Sequence, residues 1–218
     1  MKKVALILSG CGHFDGAEIR ESILSMVELE EKKIEYDIYA PDIDQHHVLN
    51  HITGEEISQK RNVLVEAARV ARGKVEDLKK LNSSEYDGLV LPGGFGVAKN
   101  LSSFAFEGSA GSLLGEFKKT INAFLDSNKP ICAICISPAV MALALENKGV
   151  TLSSGADENV AMEITKLGNK NIILSPHEAY LDEEYKVISS PAYMYDDAKL
   201  IDVKKGIKQA ISLLGQEL

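Results

Sequence analysis

Cys135 is the residue of this sequence whose type and position most strongly indicate chemistry. An apolar, strand-like run over residues 130–134 ends at it, and a helix-compatible run over residues 137–146 follows at once. A cysteine at such a turn lies at the carboxyl edge of a sheet, and the N–H groups of the following helix favour the thiolate, which is the nucleophilic form. A buried cysteine that only fills space is the alternative, but this local setting favours a nucleophile.

Two carboxylates near the start of the first helix are candidate proton carriers for this thiol. Glu18 and Glu21 follow the loop after the first strand, and their three-residue spacing places them on one helix face. If that face points at the sheet edge that carries Cys135, one of them can accept and return a proton. Acidic residues also suit a helix N-terminus for structural reasons alone, so both interpretations stay open.

The turn Pro92-Gly93-Gly94-Phe95-Gly96 is a candidate anion-binding loop. Its glycines permit backbone conformations that other residues resist. The N–H groups of Gly93 and Gly94, together with that of Ile136, would then form an oxyanion hole. A tight strand-to-helix turn without any chemical role is the alternative.

The loop over residues 9–16 offers Cys11 as a rival thiol, or as a residue that lines the Cys135 site. This loop partly resembles a dinucleotide-binding turn, with Asp42 near the end of the second strand. Its glycine spacing differs from that motif, however, and the nearby carboxylates would repel a pyrophosphate. We therefore expect no cofactor.

Other patterns point less clearly to chemistry. Cys132 and Cys135 have the spacing of a redox pair, but Cys132 falls inside the strand, where it packs in the core. The sequence has no second cysteine pair or Cys/His cluster to complete a zinc site, so we expect no metal. His177-Glu178 is the only late His–acid pair available to complete a catalytic triad, and nothing in the sequence places it near Cys135.

The composition predicts a single domain over residues 1–218. The chain is 45% hydrophobic and 26% charged, which is enough to bury one sizeable core. Its net charge of −8 argues against nucleic-acid and membrane partners. No apolar run approaches the roughly 18 residues of a membrane span, and the three cysteines do not form a disulfide framework. We therefore expect a soluble cytoplasmic protein.

Strands and helices alternate along the chain, which predicts an α/β fold with a mostly parallel sheet and helices on both faces. The strands are expected at residues 4–8, 34–40, 75–78, 87–91, 130–134, 150–152, 171–174 and 186–189. The helices are expected at residues 17–32, 58–72, 113–125, 137–146, 158–167 and 203–214. Residues 41–56 are expected to form a cap over the site, and residues 100–112 a surface loop.

Several motifs together resemble the ElbB family, whose members are also called isoprenoid-biosynthesis glyoxalases or sigma cross-reacting protein homologues. The resemblance covers nearly the whole chain. It rests on Ser9-Gly10-Cys11-Gly12, Asp15-Gly16-Ala17-Glu18, Asn50-His51-Ile52-Thr53-Gly54-Glu55, Arg61-Asn62-Val63-Leu64, Pro92-Gly93-Gly94-Phe95-Gly96-Val97-Ala98-Lys99-Asn100-Leu101, Cys135-Ile136-Ser137-Pro138-Ala139 and Pro191-Ala192-Tyr193-Met194.

This resemblance implies a PfpI-type, class-I-amidotransferase-like domain: a three-layer flavodoxin-like sandwich with a nucleophile elbow. It implies a glutathione-independent glyoxalase that converts glyoxal or methylglyoxal to the 2-hydroxy acid, an activity also interpreted as protein deglycation.

Cys135 would be the nucleophile, with Glu21 as its carboxylate and Glu18 as the second choice. The N–H groups of Gly94 and Ile136 would bind the oxyanion. A homodimer is implied as well. The alternative is a non-catalytic or redox-sensing member that oxidises at Cys135.

The sequence departs from the superfamily pattern at two places. The elbow is often Gly-x-Cys-x-Gly, but Ala133 and Ser137 stand at its glycine positions. The histidine that many members carry shortly after the cysteine is absent, and Ser153, Ser154 or Asp157 occupies that region. His177 and Glu178 are adjacent, whereas amidotransferases carry a late His-x-Glu, and this argues against glutamine hydrolysis.

Overall fold

Seven strands form one sheet at the centre of the computed structural model, which describes residues 2–218. The strands of this sheet are β1 (Lys3–Ile7), β2 (Glu35–Ala40), β3 (Glu76–Asp77), β4 (Gly88–Leu91), β5 (Ile131–Ile134), β8 (Tyr180–Asp182) and β9 (Val187–Ser190). Their order across the sheet is β3-β2-β1-β4-β5-β9-β8, and every neighbouring pair is parallel except β8 with β9.

Eight α-helices connect or follow the strands. They are α1 (Ile19–Glu31), α2 (Val63–Val70), α3 (Phe95–Lys99), α4 (Phe104–Glu107), α5 (Gly115–Asp126), α6 (Ser137–Ala144), α7 (Glu158–Lys166) and α8 (Leu200–Glu217). From β1 the chain passes through α1 to β2 on one side, and from β4 it passes through α5 to β5 on the other. Because parallel crossovers are right-handed, α1 and α5 cover opposite faces. The predicted flavodoxin-like α/β fold is confirmed.

The central strands owe their position to their apolar sequences. Strands β4 and β5 are buried along their whole length, as β1 is from Val4 onward. A strand that is covered on both faces of a sheet has a continuous apolar sequence rather than an alternating one. This is why short runs such as residues 87–91 predict central strands correctly.

The structure corrects several predicted elements. Helix α2 starts at Val63 instead of residue 58, because the Asn62 side chain caps it by accepting from the Val65 N–H. The strand predicted at residues 171–174 is only β7 (Lys170–Asn171), which pairs with β6 (Thr151–Leu152) outside the main sheet. The 100–112 segment, predicted as a loop, contains α4. Strand β8 was not predicted at all.

The topology brings three loops to one place. The chain leaves β1 toward β2 and β3, then returns to lay β4 on the other side of β1, so a switch point lies between β1 and β4. Ligand sites of open α/β sheets form outside the carboxyl ends of strands at such points. The loops that follow β1, β4 and β5 therefore meet there.

The segment over residues 41–56, expected as a cap, packs on the loop after β1. The Leu49 N–H donates to the buried Asp15 carboxylate at 2.7 Å, and the His46 N–H donates to Asn100 Oδ1 at 2.9 Å. The Asn100 amide in turn donates to the carbonyl oxygens of Ser9 and Asp15. These bonds fix the shape of the loop beside the switch point.

Within residues 2–218, none of the helices combines the length with the apolar character that a membrane crossing requires.

Two glycines of α8 provide a matched stability test. A Cβ at Gly206 would overlap the carbonyl oxygen of Pro176 and lie 2.9 Å from Ser190 Oγ, whereas a Cβ at Gly215 meets only ordinary contacts. We expect Gly206→Ala to lower the free energy of unfolding by about 1–3 kcal/mol through overpacking. Gly215→Ala is expected to raise it by about 0.5 kcal/mol because alanine favours a helix. Urea unfolding measures both, and equal effects would contradict the packing of α8 described above.

Candidate active site

Cys135 lies at a strained turn between β5 and α6. Its φ angle is +64°, in the left-handed region that non-glycine residues seldom adopt, and the residue is 7% exposed. The Cys135 N–H donates to the Ser190 carbonyl at 2.8 Å, and Ser137 Oγ donates to the Pro92 carbonyl at 2.9 Å. These bonds hold the turn although Ala133 and Ser137 replace the usual glycines.

The Glu21 carboxyl contacts the Cys135 thiol. Glu21 lies in the first turn of α1 and is fully buried, and its Oε2 and the Cys135 Sγ lie 2.7 and 2.9 Å from the point where a Cβ on Gly93 would stand. Its Oε2 accepts from the Gly93 N–H at 2.9 Å, and its Oε1 accepts from the Tyr193 N–H at 3.2 Å. The structure thus brings together the cysteine and the first-choice carboxylate that the sequence pointed to.

Gly93 supports the Glu21 carboxyl, whereas the sequence suggested that it would bind an oxyanion. Its N–H is engaged by Glu21, so it is not directed at an oxyanion. A Cβ at Gly93 would overlap the Cys135 side chain and lie 2.7 Å from Glu21 Oε2. Only glycine leaves room here for the carboxyl and the thiol to meet.

The backbone N–H groups of Gly94 and Ile136 lie close enough to the Cys135 sulfur to lower the pKa of the thiol. Gly94 has φ +96°, and a Cβ there would overlap the backbone of Gly16 and Glu18. Two donors at the sulfur would also lie close to an oxygen on a carbon bonded to that sulfur. Their use as an oxyanion hole is geometrically available and stays a prediction.

Glu18 does not touch the thiol. Its Oε2 accepts from the Glu21 N–H at 2.6 Å, so its side chain caps the N-terminus of α1. The Glu18 N–H donates to the Gly93 carbonyl at 2.9 Å, which ties α1 to the glycine turn. The second-choice carboxylate therefore positions the helix that carries Glu21.

Burial controls the charges of this site. It raises the pKa of Glu21 from 4.5 to about 8, and the nearby Glu18 charge adds to the shift. Burial, followed by the Glu21 charge, also raises the pKa of Cys135 well above its usual value, against the opposing effect of the Gly94 and Ile136 N–H groups. The helix terminus alone thus does not decide the ionisation of the thiol, contrary to the simple expectation. The two acids compete for one negative charge.

The other two cysteines lie elsewhere. The charged groups that influence Cys11 are Glu66, Arg69, Asp15 and Arg61, which places its half-buried thiol beside α2 rather than beside Glu21. The expectation that Cys11 lines the Cys135 site gains no support from these neighbours and stays a prediction. Cys132 is fully buried in β5, and burial raises its pKa to about 12. It is a core residue, and all three cysteines are free.

The late His–acid pair does not join the site. His177 is exposed, and its charge acts on Glu178 and Asp202. The Glu178 carboxylate accepts from the Ser175 N–H at 2.7 Å. Asp157 caps α7, and the Ser153 N–H donates to Ser189 Oγ. Within the described part of the chain, no three His, Cys, Asp or Glu side chains are grouped as metal ligands.

Sequence reasoning missed the contribution of Tyr193. Its N–H reaches Glu21 because the preceding Ala192, fully buried, adopts a left-handed φ of +44°. Tyr193 is 172 positions from Glu21, so no local pattern links them. The Pro191-Ala192-Tyr193-Met194 block was a visible signal, but only as part of a family resemblance.

Comparisons with known proteins agree with this fold. A family model described as the DJ-1/PfpI family matches residues 2–190. A human relative, "Glutamine amidotransferase-like class 1 domain-containing protein 3, mitochondrial", is 39% identical and covers 90% of this chain and 76% of its own. A rat relative, "ES1 protein homolog, mitochondrial", is 37% identical over 98% of this chain and 85% of its own.

Solved structures give the same result. A crystal structure of an isoprenoid biosynthesis protein with an amidotransferase-like domain from Ehrlichia chaffeensis has a TM-score of 0.93 and 38% identity, and it covers 100% of this chain and 99% of that one. Drosophila melanogaster DJ-1beta has a TM-score of 0.55 and 19% identity, covers 99% of this chain and 96% of its own, and shares the fold.

The expected cytoplasmic location is contradicted by the relatives. The human, rat and zebrafish proteins are all named as mitochondrial. The sequence expectation rested on the lack of an apolar run of membrane-span length and of a disulfide framework, and a mitochondrial protein can satisfy both conditions equally well. The correction is that these features do not distinguish the two compartments.

The raised pKa of Glu21 makes a prediction about stability. Between pH 4.5 and about 8 the folded protein keeps a proton on Glu21 that the unfolded chain has lost, so stability falls as pH rises through this window. We expect Glu21→Gln to remove on the order of 3 kcal/mol of this decline between pH 5 and pH 8. Urea unfolding at several pH values measures the slope.

The matched control is Glu31→Gln, which makes the same charge change at an exposed position of α1. A constant offset between Glu21→Gln and the wild type is acceptable, since glutamine cannot accept both backbone bonds equally well. Parallel curves for the wild type and Glu21→Gln would show that Glu21 is ionised in the folded protein across the whole window.

Proposed function

We propose a function for this chain from one established premise: it belongs to the DJ-1/PfpI family. The proposal is that it is a glutathione-independent glyoxalase, which converts glyoxal or methylglyoxal to the corresponding 2-hydroxy acid without a cofactor. The observation that carries it is that the buried Glu21 carboxyl lies beside the Cys135 thiol, with two backbone N–H groups near enough to the sulfur to lower its pKa. This arrangement provides a nucleophile, a proton carrier and an oxyanion site at one point.

Within the family we place the chain in the ElbB group. The sequence motifs of that group run through most of the chain, and the Ehrlichia chaffeensis protein is described as an isoprenoid biosynthesis protein. An identity of 38% over the full length supports a shared site as well as a shared fold.

The first chemical step is addition of the Cys135 sulfur to the aldehyde carbon. A new C–S bond forms, and the carbonyl oxygen becomes an alkoxide that takes a proton and gives a hemithioacetal. The Gly94 and Ile136 N–H groups hold this oxygen while it is charged. The pKa of Glu21 is lower than that of the thiol, so the Glu21 carboxylate takes the thiol proton as the sulfur adds and then returns that proton to the alkoxide.

The second step moves a proton between the two carbons. The Glu21 carboxylate removes the proton of the former aldehyde carbon, an enediol forms, and Glu21 returns a proton to the neighbouring carbon. The first carbon is oxidised to a thioester while the second is reduced to an alcohol, so no external oxidant is needed. Water then cleaves the thioester, releases the 2-hydroxy acid and restores the thiol.

Two further expectations belong to the same proposal. The partner of the site is a small aldehyde, because Cys135 is only 7% exposed and admits little bulk. The active form is expected to be a homodimer, as in the superfamily. Glutamine hydrolysis is disfavoured, because His177 is exposed and its charge acts on Glu178 and Asp202 rather than on Glu21 or Cys135.

Replacement of Cys135 tests the nucleophile. We expect Cys135→Ala to reduce glycolate formation from glyoxal to background, since no covalent adduct can form. Cys11→Ala is the matched control and should keep its activity, because that thiol lies beside α2. Glycolate is measured by chromatography, and wild-type rates in Cys135→Ala would exclude the proposed nucleophile.

Replacement of Glu21 tests the proton carrier separately. Glu21→Gln is expected to lower kcat by at least about 100-fold, the usual contribution of general acid–base catalysis. Full activity of this variant would exclude the role of Glu21 while leaving Cys135 as the nucleophile. If the wild-type protein makes no glycolate and mild peroxide converts Cys135 selectively to sulfinic acid, the redox-sensing alternative is favoured.

A further inference from the structure

Arg20 is an exposed arginine next to the buried site. It precedes Glu21 in α1, and its Nη1 donates to the Tyr193 hydroxyl at 3.1 Å. Its guanidinium carbon lies 5.7 Å from the centre of the Tyr193 ring. The hydroxyl bond and the ring contact hold the side chain in one orientation, which an unsupported surface arginine lacks.

Tyr193 connects this arginine to the reacting groups. The Tyr193 backbone N–H donates to Glu21 Oε1, while its ring and hydroxyl support Arg20. His13 lies near both Arg20 and the glycine turn. The Arg20 charge acts on the His13 imidazole, and the His13 carbonyl accepts from the Phe95 N–H next to Gly94. Tyr193 therefore links Arg20 to the segment that holds Glu21, whose carboxyl contacts Cys135.

The charge of the Glu18 carboxylate acts on Arg20, but the two side chains do not form an ion pair. No ion pair to Arg20 occurs among the residues that the structure describes, and the hydroxyl of Tyr193 occupies one of its five N–H donors. The chain as a whole carries a net charge of −8. Arg20 is thus an exposed cation on an acidic protein, and the remaining N–H donors of its planar guanidinium are open to solvent.

We propose that Arg20 binds a carboxylate on the substrate, so that the preferred substrates are 2-oxoaldehydes that carry a carboxylate group. A guanidinium matches a carboxylate through two parallel N–H···O bonds, and a neutral dialdehyde leaves this capacity unused. The turnover part of this proposal rests on the proposed glyoxalase function. The recognition of an anion by Arg20 does not, and it is tested separately.

A purely structural role of Arg20 would have different consequences. If Arg20 only packed on Tyr193, its loss would loosen the segment that supplies the Tyr193 N–H to Glu21. Every reagent that reaches Cys135 would then be affected in the same way, whatever its charge. Comparison of a charged with a neutral reagent of the same shape therefore separates the two roles.

Alkylation of Cys135 by iodoacetate and by iodoacetamide gives this comparison. The two reagents share one reactive carbon and differ in charge, and mass spectrometry separates Cys135 from the other two cysteines. We expect the iodoacetate-to-iodoacetamide rate ratio to fall at least about threefold in Arg20→Ala. Arg20→Lys should keep part of the ratio, and the preference should weaken at high salt.

Arg72→Ala is the matched control. It removes the same charge from an exposed arginine that follows α2 at the opposite edge of the sheet. Its rate ratio is expected to equal that of the wild type. An equal fall in both arginine variants would mean a general charge effect, and an unchanged ratio in Arg20→Ala, or an equal change with both reagents, would overturn the proposal.

Turnover tests the substrate class. We expect wild-type kcat/KM for 4,5-dioxopentanoate, a 2-oxoaldehyde with a carboxylate, to exceed that for methylglyoxal, and Arg20→Ala to lower this preference about tenfold, mainly through KM. A preference that is absent in the wild type or unchanged in Arg20→Ala would contradict the proposed substrate class. If neither compound is turned over, the glyoxalase function fails while the alkylation ratio still decides whether Arg20 binds anions.

Discussion

The site depends on one contact, between the fully buried Glu21 carboxyl and the Cys135 thiol. Two acids placed together away from water are costly unless each finds hydrogen-bond donors and at most one is ionised. The backbone meets this requirement with four N–H groups: two donate to the carboxyl, and two lie close enough to the sulfur to lower the pKa of the thiol. None of these donors is a side chain, so the site is fixed by the path of the main chain.

That path is costly in itself, and the sheet is what maintains it. Cys135 and Ala192 both hold left-handed backbone angles that non-glycine residues avoid, at a cost on the order of 1 kcal/mol each. Cys135 follows directly on β5, and Ala192 is the second residue after β9; these two fully buried strands pair with each other in parallel register. The burial of these strands offsets the strain, so that the turns at their carboxyl ends cannot relax without disrupting the core.

Whether a feature could be predicted from the sequence depends on how far apart along the chain the interacting residues lie. The Cys135 turn is local, because an apolar run followed by a helix predicts a strand-end cysteine. The choice between Glu18 and Glu21 is not local, since both suit a helix start, and it depends on the Glu18 side chain turning back to cap α1. The Tyr193 contact and the separate β6–β7 sheet depend on pairings distant in sequence, which periodicity does not reveal.

The absence of a histidine now has a physical interpretation. A histidine beside the cysteine would form a charged pair with the thiolate, whereas Glu21, with its pKa raised to about 8, can rest in the neutral form. A site with this acid carries at most one negative charge near pH 7 and lacks a strong fixed positive field of its own. On our proposal, Arg20 then attracts and selects the substrate. Tyr193 holds Arg20 through its hydroxyl and Glu21 through its backbone N–H. Proton chemistry and recognition are thus joined through one short segment of chain after β9.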